Sequence, residues 1–114
     1  MALPLLLLSC SHGSANLAGH WRGLRAEGVR GDVLDNTNTY AAHMRFEVKG
    51  DVLTVTTAKD TRTDHYSVVS EDKTKTVIAT EQDGPNDPQT FLFTDPTTMK
   101  WAVGNGASVV FVKE

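Results

Sequence analysis

Residues 42–57, AHMRFEVKGDVLTVTT, decide the fold class. Met44, Phe46 and Val48 alternate with Arg45 and Glu47 as far as Gly50-Asp51, and Leu53 and Val55 resume the alternation beyond it. A period of two sends successive side chains to opposite faces of a strand. A Gly-led dipeptide between two such runs reads as a tight hairpin turn. With Gly50-Asp51 as that turn, Val48 lies opposite Leu53, Phe46 opposite Val55 and Met44 opposite Thr57 on one face. Glu47 then meets Thr54, and Arg45 meets Thr56, on the other face. One face is apolar and the other polar, as a half-buried antiparallel sheet requires, and a slip of one residue would reverse every side chain.

The C-terminal third obeys the same rule. A Gly104-Asn105-Gly106 loop sets Val103 opposite Ala107, Trp101 opposite Val109 and Met99 opposite Phe111. A turn at Asp95-Pro96 sets Phe93 against Met99 and Phe91 against Trp101, so two independent turns choose the same inner face. Further strands are predicted over 19–25, 65–70 and 76–80, with Tyr66 and Val68 pointing inward. No window beyond Leu17 shows sustained helical periodicity. The predicted fold is therefore all-β, an antiparallel meander of about eight short strands closing into a small barrel, because closure removes exposed sheet edges. At that size the interior is just wide enough to be filled by side chains or to hold one small ligand.

Composition narrows the function classes. A chain of 114 residues is a single domain. Its formal net charge of −3 argues against nucleic acid as a partner, since a phosphate backbone needs a basic face. The single cysteine allows neither an internal disulfide nor a cysteine-based metal site, and no apolar run reaches the roughly 18–20 residues of a membrane-spanning helix. His12, His20, His43 and His65 are dispersed, and neither a Gly-x-Ser-x-Gly elbow nor a phosphate-binding glycine loop occurs. Asp32, Asp35, Asn36 and Asn38 lack the central glycine and alternating ligands of a calcium loop and read as turn chemistry. The expectation is a non-catalytic protein with neither cofactor nor metal. Charge is unevenly spread: Glu81, Asp83, Asp87 and Asp95 occupy a stretch with no Lys or Arg, while all the arginines lie between Arg22 and Arg62.

The N-terminus differs in composition from the rest. Residues 1–9 carry no charge, and Leu5 to Leu8 form an unbroken apolar run. Leu7-Leu8-Ser9-Cys10 resembles the lipobox of bacterial lipoproteins, with a Leu three before the cysteine and a small residue just before it. The resemblance implies a signal peptide over 1–9, cleavage between Ser9 and Cys10, and a diacylglyceryl group on Cys10 that anchors the chain to a membrane. Two or more acyl chains hold a protein firmly where one is marginal. A Ser rather than an Asp at position 11 implies the outer membrane, with the domain facing the periplasm. A start upstream of Met1 would supply the positive n-region that such signals carry. The other reading of this segment is an ordinary apolar N-terminus with a buried free cysteine. Residues 10–16, ending in the small polar run SHGSAN, are expected to form a flexible tether, and 17–114 the folded domain.

At the start of that domain, Gly19-His20-Trp21 resembles the Gly-x-Trp pattern that opens lipocalins and small lipocalin-like domains. The order of parts is similar too: Gly-x-Trp, a long connection, then a meander ending in Val109-Val110-Phe111-Val112-Lys113. The resemblance implies that Trp21 plugs one end of the barrel, with Lys113 as the cation across its ring. It also implies that 26–39, the longest stretch without strand character, serves as a lid over the barrel mouth; a merely mobile loop is the alternative. Lys in place of the usual Arg, and the lack of room for a terminal helix, set this chain apart from longer lipocalins.

Candidate ligand-binding residues are the inward aromatic and thioether groups: Met44 and Phe46, then Tyr66, then Phe91, Phe93, Met99, Trp101 and Phe111. The same residues would constitute the core of a filled barrel. Tyr66 is the expected polar handle, because a buried hydroxyl needs a partner. Two functions follow. One is a lipid-anchored cell-envelope protein whose barrel binds a small apolar ligand; the other is a non-catalytic envelope protein with a filled core that binds another protein. A continuous apolar cavity of about 300 Å³ or more separates them.

Overall fold

Alternation and turn chemistry carry through to three dimensions. In the computed structural model, which describes residues 13–31, 34–104 and 106–114, the elements are β1 (Gly19–Glu27), α1 (Leu34–Ala42), β2 (Arg45–Lys49), β3 (Val52–Thr56), β4 (Thr61–Glu71), β5 (Lys75–Thr80), β6 (Gln89–Asp95), β7 (Thr98–Gly104) and β8 (Ala107–Lys113). Each strand pairs antiparallel with the next, and β8 pairs back onto β1, giving a closed eight-stranded meander barrel. Cys10, His12 and the segment 1–9 lie outside the described residues, as do Asp32 and Asn105.

The β2–β3 hairpin has the predicted register, with Val48 opposite Leu53, Phe46 opposite Val55, Glu47 opposite Thr54 and Arg45 opposite Thr56. The β6–β7 and β7–β8 pairs likewise set Phe93 against Met99, Phe91 against Trp101, Met99 against Phe111 and Trp101 against Val109. Two expectations fail at element ends. Val103 does not face Ala107: a bulge between Ala102 and Gly104 gives that place to Gly104, and Val103 is 47% exposed. Gly104 adopts a φ of 100°, which lets the strand break register there. Met44 is buried but precedes β2 and does not pair with Thr57; its amide bonds Ala41 O (3.0 Å) and its carbonyl accepts from Gly23 N (2.9 Å). Further bulges, at Gly23/Arg25, Val68/Ser70 and Phe93/Asp95, add the twist that closure demands.

The helix α1 is a correction to the sequence reading. Its sequence, LDNTNTYAA, is rich in Asn and Thr, which favour turns over helix, and it has no clean apolar stripe. Tertiary contacts hold it instead. Ala41 is fully buried, and the Asn38 carbonyl oxygen accepts a 2.8 Å bond from Ala26 N in β1. The end of the helix presses on Gly23, where any Cβ would overlap the Ala41 carbonyl. Only glycine permits that approach.

The expected flexible tether is also corrected over residues 13–16. Ser14 is buried; its amide donates to the Tyr66 hydroxyl (2.8 Å), and its own hydroxyl donates to Glu71. Asn16 Nδ2 donates to Asp72 O (2.7 Å) and Thr76 Oγ1 (3.0 Å). Gly13, at a φ of 78°, lies so close to Gly50 that a Cβ would overlap the Gly50 carbonyl. Small polar residues suit a loose linker, but they also suit a strap laid flat across a barrel end, and here the bonds decide.

Candidate functional site

In an up-and-down meander the connections fall alternately at two ends. The β2–β3, β4–β5 and β6–β7 turns share one end with the start of β1 and the strap; the β3–β4, β5–β6 and β7–β8 connections share the other end with α1.

The first end is closed. Trp21 is fully buried, its indole Nε1–H donating to Leu17 O at 2.8 Å and its ring meeting Phe93 edge-on with centroids 5.9 Å apart. Lys113 Nζ stands 5.6 Å from the indole centroid, within cation–π range. Leu17 is buried beneath, its amide bonded to Ser14 Oγ (3.0 Å). Tyr66 stitches strap to barrel, its hydroxyl donating to Gly50 O (2.7 Å) while accepting from Ser14 N. Burial pushes the Tyr66 phenol pKa upward, and the nearby Glu71 and Asp51 charges add to the rise, against a lowering by the Ser14 amide.

The second end is open and leads into a cavity of about 380 Å³. Its inner wall is Met44, Phe46, Leu53, Val55, Phe91 and Trp101. The rings form one packed group: Phe46 lies 5.8 Å from Phe91 and 5.6 Å from Trp101, and Phe91 and Trp101 run nearly parallel at 6.4 Å. Gln89 fixes the indole by accepting from Trp101 Nε1 (3.0 Å). Around the mouth stand Thr57, Asp60, Arg62, Asp64 and Asp83, with Tyr40 contributed by α1. Arg62 donates to Gln82, and the two Asp64 oxygens accept from the backbone amides of His65 (2.9 Å) and Gln82 (3.0 Å).

The predicted residues thus divide. Met44, Phe46, Phe91 and Trp101 line the cavity. Phe111 is stacked behind Phe46 (4.5 Å), and Met99 and Phe93 are buried in the core below, so these three are packing rather than lining. Tyr66 does not reach the cavity; its hydroxyl is committed to the strap, and its flank borders a separate surface hollow beside His65, Glu81 and Pro85. Leu53 and Val55 were legible as inward from the alternation. The mouth residues gave no such signal, since they sit on different loops and strand ends that only closure of the barrel brings together. Helix α1 crosses this end from β1, burying Ala41 and presenting Tyr40 to the cavity; both residues follow the 26–39 stretch expected as a lid, and no described residue of that stretch lines the cavity.

Among the described residues, no group of three or more His, Cys, Asp or Glu side chains is arranged to hold a metal ion. Comparison with protein-family models, with curated proteins and with solved structures finds no match to this chain.

Proposed function

We propose that this chain is a lipocalin-like binding protein of the bacterial cell envelope that takes a small, largely apolar ligand into the open end of its barrel. The observation carrying this reading is the cavity of about 380 Å³, walled by aromatic and aliphatic side chains and rimmed by a few polar ones. That volume lies within the range of small-molecule sites, and the pattern of apolar wall with sparse polar groups is theirs. Gly19-His20-Trp21, with Trp21 as the plug and Lys113 across its ring, supports the lipocalin-like part of the reading. The role is carriage or retention rather than catalysis. The filled-core alternative, a protein that only docks other envelope components, is disfavoured by the same cavity.

The anchor is proposed from Leu7-Leu8-Ser9-Cys10, with acylation on Cys10 and an outer-membrane location facing the periplasm. Gly13, three residues after Cys10 in sequence, lies at the closed end. An anchor at Cys10 therefore leaves the mouth pointing away from the membrane.

Two experiments test the two halves. Purified protein incubated with a lipid extract and repurified should carry a small molecule detectable by native mass spectrometry; recovery of bare protein across extracts refutes the binding role. Cys10→Ala should move the protein from the membrane to the soluble fraction, and unchanged fractionation refutes the anchor.

A further inference from the structure

The cavity sets where a ligand sits, and the charges around its mouth bear on what the ligand carries. Three carboxylates, Asp60, Asp64 and Asp83, surround the opening against a single guanidinium, that of Arg62. Arg62 is turned to the side chain of Gln82. Asp64 is occupied by two backbone amides. Among the described residues the Asp60 carboxylate has only a long contact from Thr57 Oγ1 (3.5 Å), while the Asp83 amide, not its carboxylate, is the group bonded to Thr80 (3.2 Å). Neither Asp60 nor Asp83 forms an ion pair among the described residues. Glu81 and Asp87 sit in the same connection between β5 and β6, which contains no Lys or Arg. Acidic side chains therefore outnumber basic ones across this connection, the β3–β4 connection and the start of β4, even with Lys59 beside Asp60 counted. A low-dielectric pocket rimmed by one sign of charge concentrates ligands of the opposite sign.

Resting on the binding role above, we infer that the ligand is a cationic amphiphile, with its apolar body against Phe46, Phe91 and Trp101 and its ammonium or amine head at the mouth beside Asp60 and Asp83. A neutral apolar molecule would gain only from the wall. An anionic one would meet three carboxylates against the one guanidinium of Arg62. The head remains near solvent, where each exposed charge pair is worth little, so the discrimination is modest and depends on salt.

Octyltrimethylammonium, 1-octanol and octanoate share a chain length and differ in head charge. Titrated into the protein at low ionic strength and followed by Trp101 fluorescence, the cation should bind about threefold to tenfold more tightly than the alcohol, and octanoate most weakly. In an Asp60→Asn, Asp83→Asn double variant that keeps the wild-type melting temperature, the cation's advantage over 1-octanol should shrink towards one. If 1-octanol matches the cation, if octanoate binds best, or if the advantage survives in the variant, the inference fails while the apolar binding role stands. If none of the three perturbs Trp101, the binding role itself fails.

Discussion

The two ends of the barrel are made from the same strands and solve opposite problems. At the closed end a fully buried indole, a strap of small residues and a tyrosine hydroxyl pair their polar groups with one another. At the open end the wall is equally aromatic, yet it borders a cavity, and among the described residues the carboxylates of Asp60 and Asp83 form no ion pair. Aromatic content alone therefore does not distinguish core from site. What distinguishes them is whether the partners of each ring and polar group are supplied by the chain itself. Stability is concentrated where they are, and room for a ligand is kept where they are not.

The comparison is most exposed to a matched pair of tryptophan deletions. Trp21→Ala removes a side chain with no exposed surface and frees Leu17 O and Lys113, and should cost about 3–5 kcal/mol in urea denaturation. Trp101→Ala removes a half-buried ring that already borders open space, and should cost about 1–2 kcal/mol while weakening ligand binding. Equal losses at the two positions would erase the distinction between the ends.

Tyr66→Phe sharpens it at one group. The change strips Ser14 N and Gly50 O of their partner and should cost about 1–2 kcal/mol, with faster hydrogen exchange at the Ser14 amide. The pH dependence has a definite sign. Because burial raises the phenol pKa in the folded state, its stabilisation is complete below the unfolded value near 10 and fades as pH rises through the folded value. The wild type should therefore lose stability as pH rises above the unfolded value of about 10, more steeply than the phenylalanine variant. Parallel pH profiles would show that the hydroxyl is not holding the strap.

The smallest effect is expected on the barrel's outer surface, away from the cavity lining. Lys100 foremost, then Arg25, hydrogen-bonds Glu27 and holds its carboxyl below the usual range. A depressed folded pKa gives stability that is present above the unfolded value and lost as pH falls through the folded one. Glu27→Gln should cost under about 1 kcal/mol at neutral pH, since the group is partly exposed and screened, and nothing once both states are protonated. Denaturation midpoints at pH 7 and under acid conditions measure the difference; a larger loss would put weight on the β1–β7–β8 surface that the comparison denies it.

Much of the barrel was legible in the chain. Alternation is a short-range property, and a two-residue turn fixes register for every residue beyond it, so Phe46 opposite Val55 and Met99 opposite Phe111 could be read directly. Legibility stopped where the period broke. Val103 was misassigned because a bulge costs nothing visible in the hydrophobic pattern. Helix α1 was missed because its own residues barely favour helix, and its stability comes from Ala41 against Gly23 and Asn38 against Ala26. The strap was mistaken for a linker because its small polar residues state no preference between solvent and the Tyr66, Glu71 and Thr76 groups that hold it. Of the candidate ligand residues, all eight were correctly placed inside, but inside comprises two environments.

Strand order, the register of the main hairpins and the apolar character of the interior follow from the period of two and from turn residues next to one another in the chain. Which inward residues became core and which became cavity wall, and which carboxylates gathered at the mouth, were settled by long-range contacts. Those outcomes depend on closure of β8 onto β1 and on the packing of α1 and the strap, contacts between residues too far apart in the chain for any local pattern to encode.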